Sequence, residues 1–198
     1  MPFRCFAYGS NMFTIKMQVP APSATFVTTG WVPGCLFRFN KESTDGSGKG
    51  NLVATGDPAD VVWGVVFEIA DGERKRLDDS EGGYDPITID VVTANGPISV
   101  LTYIAKPNRV NNTIRPYAWY KEFAVRGAED HGLPPAYIAQ IAAISAVADP
   151  DTAREIKQRA LLDAGRVLEC SPFFCSAREL RLAACTGRLN PDFRRVPR

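Results

Sequence analysis

Two stretches carry side chains whose types and spacing could do chemistry. They are Tyr8-Gly9-Ser10-Asn11-Met12 and Leu77-Asp78-Asp79-Ser80-Glu81-Gly82-Gly83-Tyr84. In the first, an apolar strand-like run (Phe3, Cys5, Phe6) gives way to Gly9, whose missing Cβ allows close approach of a ligand to the backbone. Ser10 and Asn11 add side-chain hydrogen-bonding groups, and such a turn exposes backbone N–H groups that can form a small nest for a carboxylate or phosphate. Gly, Ser and Asn are also ordinary turn residues, so a plain loop is the competing reading. In the second stretch Glu81 ends a polar helix, and two glycines allow a sharp exit that lets its carboxylate project from a sheet rim. Asp78 lies three residues earlier on the same helical face. A neighbouring like charge and partial burial both raise a carboxylate's pKa. Both would move Glu81 toward proton shuttling near neutral pH; the alternative is an exposed helix-end glutamate.

Other chemistries have little to work with. The single histidine, His131, sits between Asp130 and Gly132, where helix-end packing explains it, and one histidine does not make a His-based metal centre. The five cysteines are dispersed, and Cys170 and Cys175 have no matching Cys/His set to complete a zinc site. The run Asp45-Gly46-Ser47-Gly48-Lys49-Gly50-Asn51 resembles a phosphate loop only superficially, because Lys49 is followed by Gly50 rather than Ser or Thr. It reads as a flexible hairpin loop. A net charge of +1 gives no electrostatic reason to expect nucleic acid or an anionic membrane as partner. The longest near-apolar stretch, Ile138 to Ala148, suits a core helix rather than a membrane span. Met1-Pro2-Phe3-Arg4 lacks the apolar region of a signal peptide, so a cytoplasmic location is expected.

The elements that must position these residues change character along the chain. From Phe3 to Tyr103 the pattern is mainly β. Cys35–Asn40 alternates in part, Leu52–Thr55 follows the Gly-rich loop, and Val61–Ile69 is rich in β-branched and aromatic residues. Gly64 inside that last run suggests a bulge or a bend in a closed or strongly curved sheet. A polar helix is expected over 71–80, and 87–92 and 98–103 form an antiparallel pair joined through Asn95-Gly96. After Lys106 the period becomes helical. One helix spans 116–130 with Tyr120, Phe123 and Ala124 inward and Gly132 as its cap. A second opens at Pro134 with Tyr137, Ile138, Ile141 and Ile144 inward. A third runs from Asp151 to about Ala164 and carries Ile156, Leu161 and Leu162. The tail from Ser176 to Arg198 holds six Arg against Glu179 and Asp192, a local balance of 6 − 2 = +4. It reads as a solvated helix with a frayed end, or as a dock for an acidic partner.

Taken together, Tyr8-Gly9-Ser10-Asn11, the strand Val61–Ile69, Leu77-Asp78-Asp79-Ser80-Glu81-Gly82 and the run from Trp119-Tyr120-Lys121-Glu122 through Gly127 to Gly132-Leu133-Pro134 resemble the γ-glutamylcyclotransferase family in type and order. The resemblance covers roughly residues 3–148. It implies an α+β fold, a small mixed and mainly antiparallel β-barrel with helices packed outside, over 1–148, and a helical C-terminal extension with a basic tail over 149–198. It implies release of 5-oxoproline from a small γ-glutamyl substrate, with neither metal nor organic cofactor. By the same resemblance Glu81 is the general acid/base. Tyr8, Gly9, Ser10, Asn11 and Met12 seat the substrate, and Tyr103 and Tyr120 either line the site or pack in the core. Asn11 fits a branch acting on γ-glutamyl amino acids or amines better than a glutathione-specific one. The link from Glu81 to Tyr84 is shorter than in the animal enzymes, so a reshaped pocket rim is expected. A γ-glutamylamine or a biosynthetic intermediate remains an alternative substrate, a non-catalytic γ-glutamyl-binding module an alternative function, and a homodimer is left open.

Overall fold

A computed structural model describes residues 1–169. The chain opens with β1 (Phe3–Ala7), a 3-10 turn (Ser10–Met12) and the short helix α1 (Thr14–Gln18). Then come β2 (Thr25–Pro33), β3 (Cys35–Glu42), β4 (Gly48–Ala54) and β5 (Val61–Ile69). A second 3-10 turn (Asp71–Glu73) leads into α2 (Arg74–Ser80), followed by β6 (Tyr84–Thr93) and β7 (Gly96–Ala105). Three helices complete the described chain: α3 (Ala118–Asp130), α4 (Pro135–Ala143) and α5 (Thr152–Glu169). Met1–Arg159 form one compact unit and a second begins at Ala160, within α5. The basic tail and Cys170 and Cys175 lie outside the described residues.

The barrel closes in the order β1-β5-β2-β6-β7, with β7 returning to β1. Strand β5 is apolar almost throughout because it is hydrogen-bonded on both sides, to β1 and β2, and covered on most of its length; Val62, Val65, Val66, Phe67 and Ile69 are fully buried. Strands β6 and β7 pair along their whole length, from Tyr84↔Ala105 to Thr93↔Gly96, across a two-residue turn. The closing contact, β1 with β7, is parallel at Cys5↔Leu101 and makes the barrel mixed.

That parallel contact decides where the chemistry goes. Because β1 and β7 run the same way, the end of β1, the end of β7 and the start of β6 lie on one rim. The residues after Ala7 and the residues before Tyr84 therefore meet, although far apart in sequence. Strands β3 and β4 form a separate two-stranded hairpin. Asn51 Oδ1 accepts from the Ala105 N–H at 3.0 Å, and Tyr84 Oη donates to the Gly50 carbonyl at 2.7 Å, so the hairpin is fastened to the same rim.

Several boundaries differ from the sequence pattern for identifiable reasons. Strand β4 starts at Gly48, not Leu52, since Gly48 and Lys49 already pair with Glu42 and Lys41 and leave a shorter loop. Strand β6 starts at Tyr84 because β7 continues to Ala105 opposite it. The bulge expected at Gly64 lies instead in β2, between Phe26 and Thr28. Gly64 is a point of close approach: a Cβ there would sit 2.4 Å from the Ala7 carbonyl oxygen. Ile156, on the third predicted helix, is 64% exposed. The start of α5 is held through ion pairs of Arg154 with Asp149 and Arg159 with Glu122, not through an apolar stripe. Among the described residues no helix is long and apolar enough to cross a membrane.

Helix α3 supports the rim from outside. Phe123 is fully buried with its ring 5.6 Å from that of Phe13, and Gly127 lies directly against the chain leaving the 3-10 turn. A Cβ at Gly127 would meet the Phe13 nitrogen at 2.3 Å and the Met12 carbonyl carbon at 2.4 Å, both backbone atoms that cannot swing aside. Gly127→Ala is therefore expected to destabilise the protein by about 1–3 kcal/mol, the usual range for overpacking. Chemical denaturation measures it; an unchanged midpoint would show that the turn and α3 are not in contact.

Candidate active site

Glu81 caps the end of α2, with its N–H within 3.2 Å of both the Leu77 and Asp78 carbonyls. Its own carbonyl accepts from the Tyr84 N–H at 3.0 Å, closing a tight turn through Gly82 and Gly83. Gly83 has φ of +87°, a conformation that costs glycine little and suits the third place of such a turn. This turn aims the side chain into a cleft of about 790 Å³ at the barrel rim.

Across the cleft, Asn11 Nδ2 donates to Glu81 Oε1 at 2.7 Å, joining the two stretches singled out in the sequence over seventy residues. Glu81 as a residue keeps some exposure, but its carboxyl group is enclosed, and the enclosure governs its acidity. Burial pushes its pKa up from 4.5 to about 7, against the opposing pull of the Asn11 hydrogen bond and the Lys41 and Lys16 charges. Asp78 adds only a smaller upward push. Its carboxylate is otherwise engaged, accepting from Arg74 Nε at 2.9 and 3.0 Å and from Tyr103 Oη at 2.6 Å. Asp78 thus orients Tyr103 more than it charges Glu81.

The opening turn lies at the same place. Gly9 precedes the 3-10 turn, and Met12 N–H is the first to find an acceptor within it, on the Gly9 carbonyl at 3.0 Å. The Ser10 and Asn11 amides come before that bond, as the first donors of a helical turn do. Tyr8, Gly9, Ser10 and Asn11 all line the cleft. The Met12 side chain is fully buried beneath the turn, in the core. Tyr8 Oη donates to the Tyr103 carbonyl, tying β1 to β7. Tyr103 and Tyr120 line the cleft and are buried as well, so lining and packing coincide. Tyr120 Oη accepts from the Gly50 N–H at 3.3 Å and is hydrogen-bonded to Ser10. Burial pushes the Tyr120 phenol up to about 12 and Tyr8 well above its usual range, so both keep their protons as donors. Cys5 also lines the cleft, but burial raises its thiol far from the reactive range.

Sequence reasoning missed the cations. Lys16, Lys41 and Lys49 all line the cleft. Lys49 Nζ is paired with Asp45 at 2.6 Å and sits 4.3 Å from the Tyr120 ring centre. Lys16 Nζ lies 5.4 Å from the Phe123 ring centre, and burial lowers its pKa. His131 is elsewhere, hydrogen-bonded to Thr14 at 3.1 Å and stacked on Phe26, and is not among the residues lining the cleft. Among the described residues no three His, Cys, Asp or Glu side chains gather as a metal site would need.

Residues 61–141 match the model of the AIG2-like family. The human γ-glutamylcyclotransferase is 30% identical over 157 residues, covering 72% of this chain and 78% of the human protein. The bovine γ-glutamylcyclotransferase is 30% identical over 142 residues, covering 68% and 74%. A solved structure named γ-glutamyl cyclotransferase superposes with a TM-score of 0.69 at 26% identity, covering 80% of this chain and 99% of that one.

An enclosed carboxyl group with a raised pKa has a measurable cost. The folded state binds the Glu81 proton more tightly than the unfolded state does, so its contribution to stability is fully present below pH 4.5 and is lost as pH rises through about 7. Glu81→Gln, which cannot ionise, escapes that loss. The variant is expected to match the wild type near pH 4 and to exceed it by up to about 3 kcal/mol at pH 8. Melting curves at the two pH values decide it, and a variant less stable at pH 8 would contradict the enclosure.

Proposed function

We propose that this chain, which belongs to the γ-glutamylcyclotransferase family, releases 5-oxoproline from γ-glutamyl amino acids, with Glu81 moving the protons. The observation that carries this reading is the enclosed Glu81 carboxyl, poised at about 7 and hydrogen-bonded to Asn11 across the cleft.

The substrate brings its own nucleophile. The α-nitrogen of the γ-glutamyl unit attacks the γ-carbonyl carbon, forming the C–N bond of a five-membered lactam, and the bond from that carbon to the leaving nitrogen breaks. The attacking nitrogen sheds two protons on its way from ammonium to lactam N–H. The leaving nitrogen gains two on its way from amide N–H to ammonium. No water or co-reactant enters, and one carboxylate can ferry the protons one at a time. An α-ammonium group has a pKa of about 7.7–8.0. Passing its proton to a carboxylate at 7 costs about 1 kcal/mol, against nearly 5 kcal/mol for a carboxylate at 4.5. The raised pKa is thus worth roughly two orders of magnitude in the population of the attacking amine.

The remaining residues hold and orient. The turn from Tyr8 to Met12 presents its backbone amides to the α-carboxylate and to the oxyanion that develops on the γ-carbonyl. Lys16, on α1 just beyond that turn, adds positive charge at that end. Tyr120, kept protonated beside Ser10, offers its hydroxyl next to that turn, and Tyr103, fixed by Asp78, lines the cleft with it. Met12 serves through its backbone, since its side chain is in the core. Pre-orientation of amine and carbonyl supplies several kcal/mol of the barrier. All of these residues lie within 1–148, which we assign as the catalytic part. The free thiols of Cys5 and Cys35 are compatible with work in the cytoplasm, in γ-glutamyl and glutathione metabolism.

A panel of γ-glutamyl amino acids and amines, scored for 5-oxoproline by mass spectrometry, tests the reading; turnover of none would overturn it. Glu81→Gln is expected to lower kcat by about 10²–10⁴ while substrate still raises the melting temperature. Turnover that survives the substitution would remove Glu81 from the mechanism. Because the attacking amine needs the ionised carboxylate, kcat/KM should rise with pH through about 7, the pKa of Glu81.

A further inference from the structure

Lys41 acts on the Glu81 acidity, but the proton chemistry leaves its free donors unexplained. Strand β3 carries a bulge between Arg38 and Lys41, and its regular alternation stops there, with Phe39, Asn40 and Lys41 all buried. Bulges beside functional sites commonly re-aim a side chain. Lys41 Nζ donates to the Gly82 carbonyl at 2.7 Å and lies 4.8 Å from the Tyr84 ring centre. Its stem passes over Gly83, where a Cβ would meet Lys41 Cε at 2.9 Å and Arg109 Cγ at 3.5 Å. Lys41 and Arg109 thus flank the turn that follows Glu81, and both line the cleft.

Neither has a carboxylate partner among the described residues. Lys49, on the neighbouring strand, is paired with Asp45, whereas Lys41 spends one of its three N–H donors on a neutral carbonyl and leaves two. The residue is 6% exposed, so its stem is packed away while its ammonium borders the cleft. Burial works against its charge, Glu81 favours it from beyond ion-pair distance, and Arg109 opposes it more weakly. Two adjacent cations without an acid between them, opening on a cleft, form a receptor for an anion.

On the reading of the site as a γ-glutamyl cyclising centre, the geometry says which anion. Glu81 must deliver its protons to the leaving nitrogen. If the leaving group is an α-amino acid, its carboxylate carbon lies roughly 2.5 Å from that nitrogen, two bonds away. The receptor must therefore sit within one residue of Glu81, and Lys41 is hydrogen-bonded to the carbonyl of the very next residue. The γ-glutamyl α-carboxylate belongs to the other end, at the Ser10–Asn11 turn. We infer that Lys41, assisted by Arg109, is the specificity-determining residue that binds the α-carboxylate of the leaving amino acid, and so separates γ-glutamyl amino acids from γ-glutamylamines.

The test is the ratio of kcat/KM for γ-glutamyl-alanine to kcat/KM for γ-glutamyl-ethylamine, whose leaving group is alanine without its carboxylate. Both substrates are assayed on one preparation, so any unfolded fraction cancels, as does any change in Glu81 acidity common to both. Lys41→Met is expected to lower the ratio by about tenfold or more, the usual scale for removing one partner of a desolvated ion pair. Lys41→Arg should recover most of it, and Arg109→Gln, at an exposed position, should lower it severalfold. A ratio unchanged in Lys41→Met overturns the inference, whether both substrates fall together or neither falls. In that outcome wild-type release of 5-oxoproline stands, and the cyclising function with it. Wild-type protein that cyclises neither substrate overturns the functional reading and the inference that rests on it.

Discussion

The enclosed carboxyl group of Glu81 is the constraint on which the arrangement of the rim depends. Burying an ionisable group without a full ion pair costs stability, and proteins tolerate it where the shifted acidity has a use. Here a single side-chain hydrogen bond from Asn11 and the fields of Lys16 and Lys41 hold the group near neutrality, short of the higher value that burial alone would set. Each of these groups arrives from a different element. Asn11 follows β1, Lys16 lies on α1, Lys41 is on β3, and Glu81 itself stands between α2 and β6. The parallel closure of β1 on β7 brings the first and last of them to one rim.

Around that carboxyl the other ionisable groups are kept from competing. The phenols of Tyr8 and Tyr120 are buried and remain neutral donors, and the Cys5 thiol is held protonated within the same cleft. Asp78 is held between Arg74 and Tyr103. One group is left free to exchange a proton near pH 7, which is what an intramolecular cyclisation needs. The substrate supplies nucleophile and electrophile together, so positioning and proton movement are the tasks that fall to the protein. The cations divide accordingly, with Lys16 beside the turn that would hold the γ-glutamyl end and Lys41 beside the turn that leads away from Glu81.

Local pattern and barrel closure differ in how far they can be read from the chain. Strand β5 was legible to the residue, because β-branched and aromatic side chains run from Val61 to Ile69 between turn residues. The β6–β7 hairpin and the cap of α3 at Gly132 were legible for the same local reasons. Glu81 and Asn11 could each be singled out by type and neighbours, but not their contact across seventy residues, which depends on the single parallel register of β1 on β7. The lysines were harder. A lysine is solvated by default, and only the β3 bulge and the fastening of the hairpin to Ala105 and Tyr84 turn Lys41 and Lys49 toward the cleft. The expected influence of Asp78 on Glu81 was legible in direction but not in rank, since helical spacing does not reveal that Asp78 is occupied by Tyr103.

The rim as described requires Glu81 to exchange its proton near neutral pH. A carbon-13 NMR titration of the glutamate carboxyl carbons, with the Glu81 signal assigned by its absence from Glu81→Gln, measures this directly. The expected midpoint is close to 7, moving upward in Asn11→Ala, where the hydrogen bond that favours the carboxylate is gone. A midpoint near the ordinary 4.5, unmoved by that substitution, would contradict it.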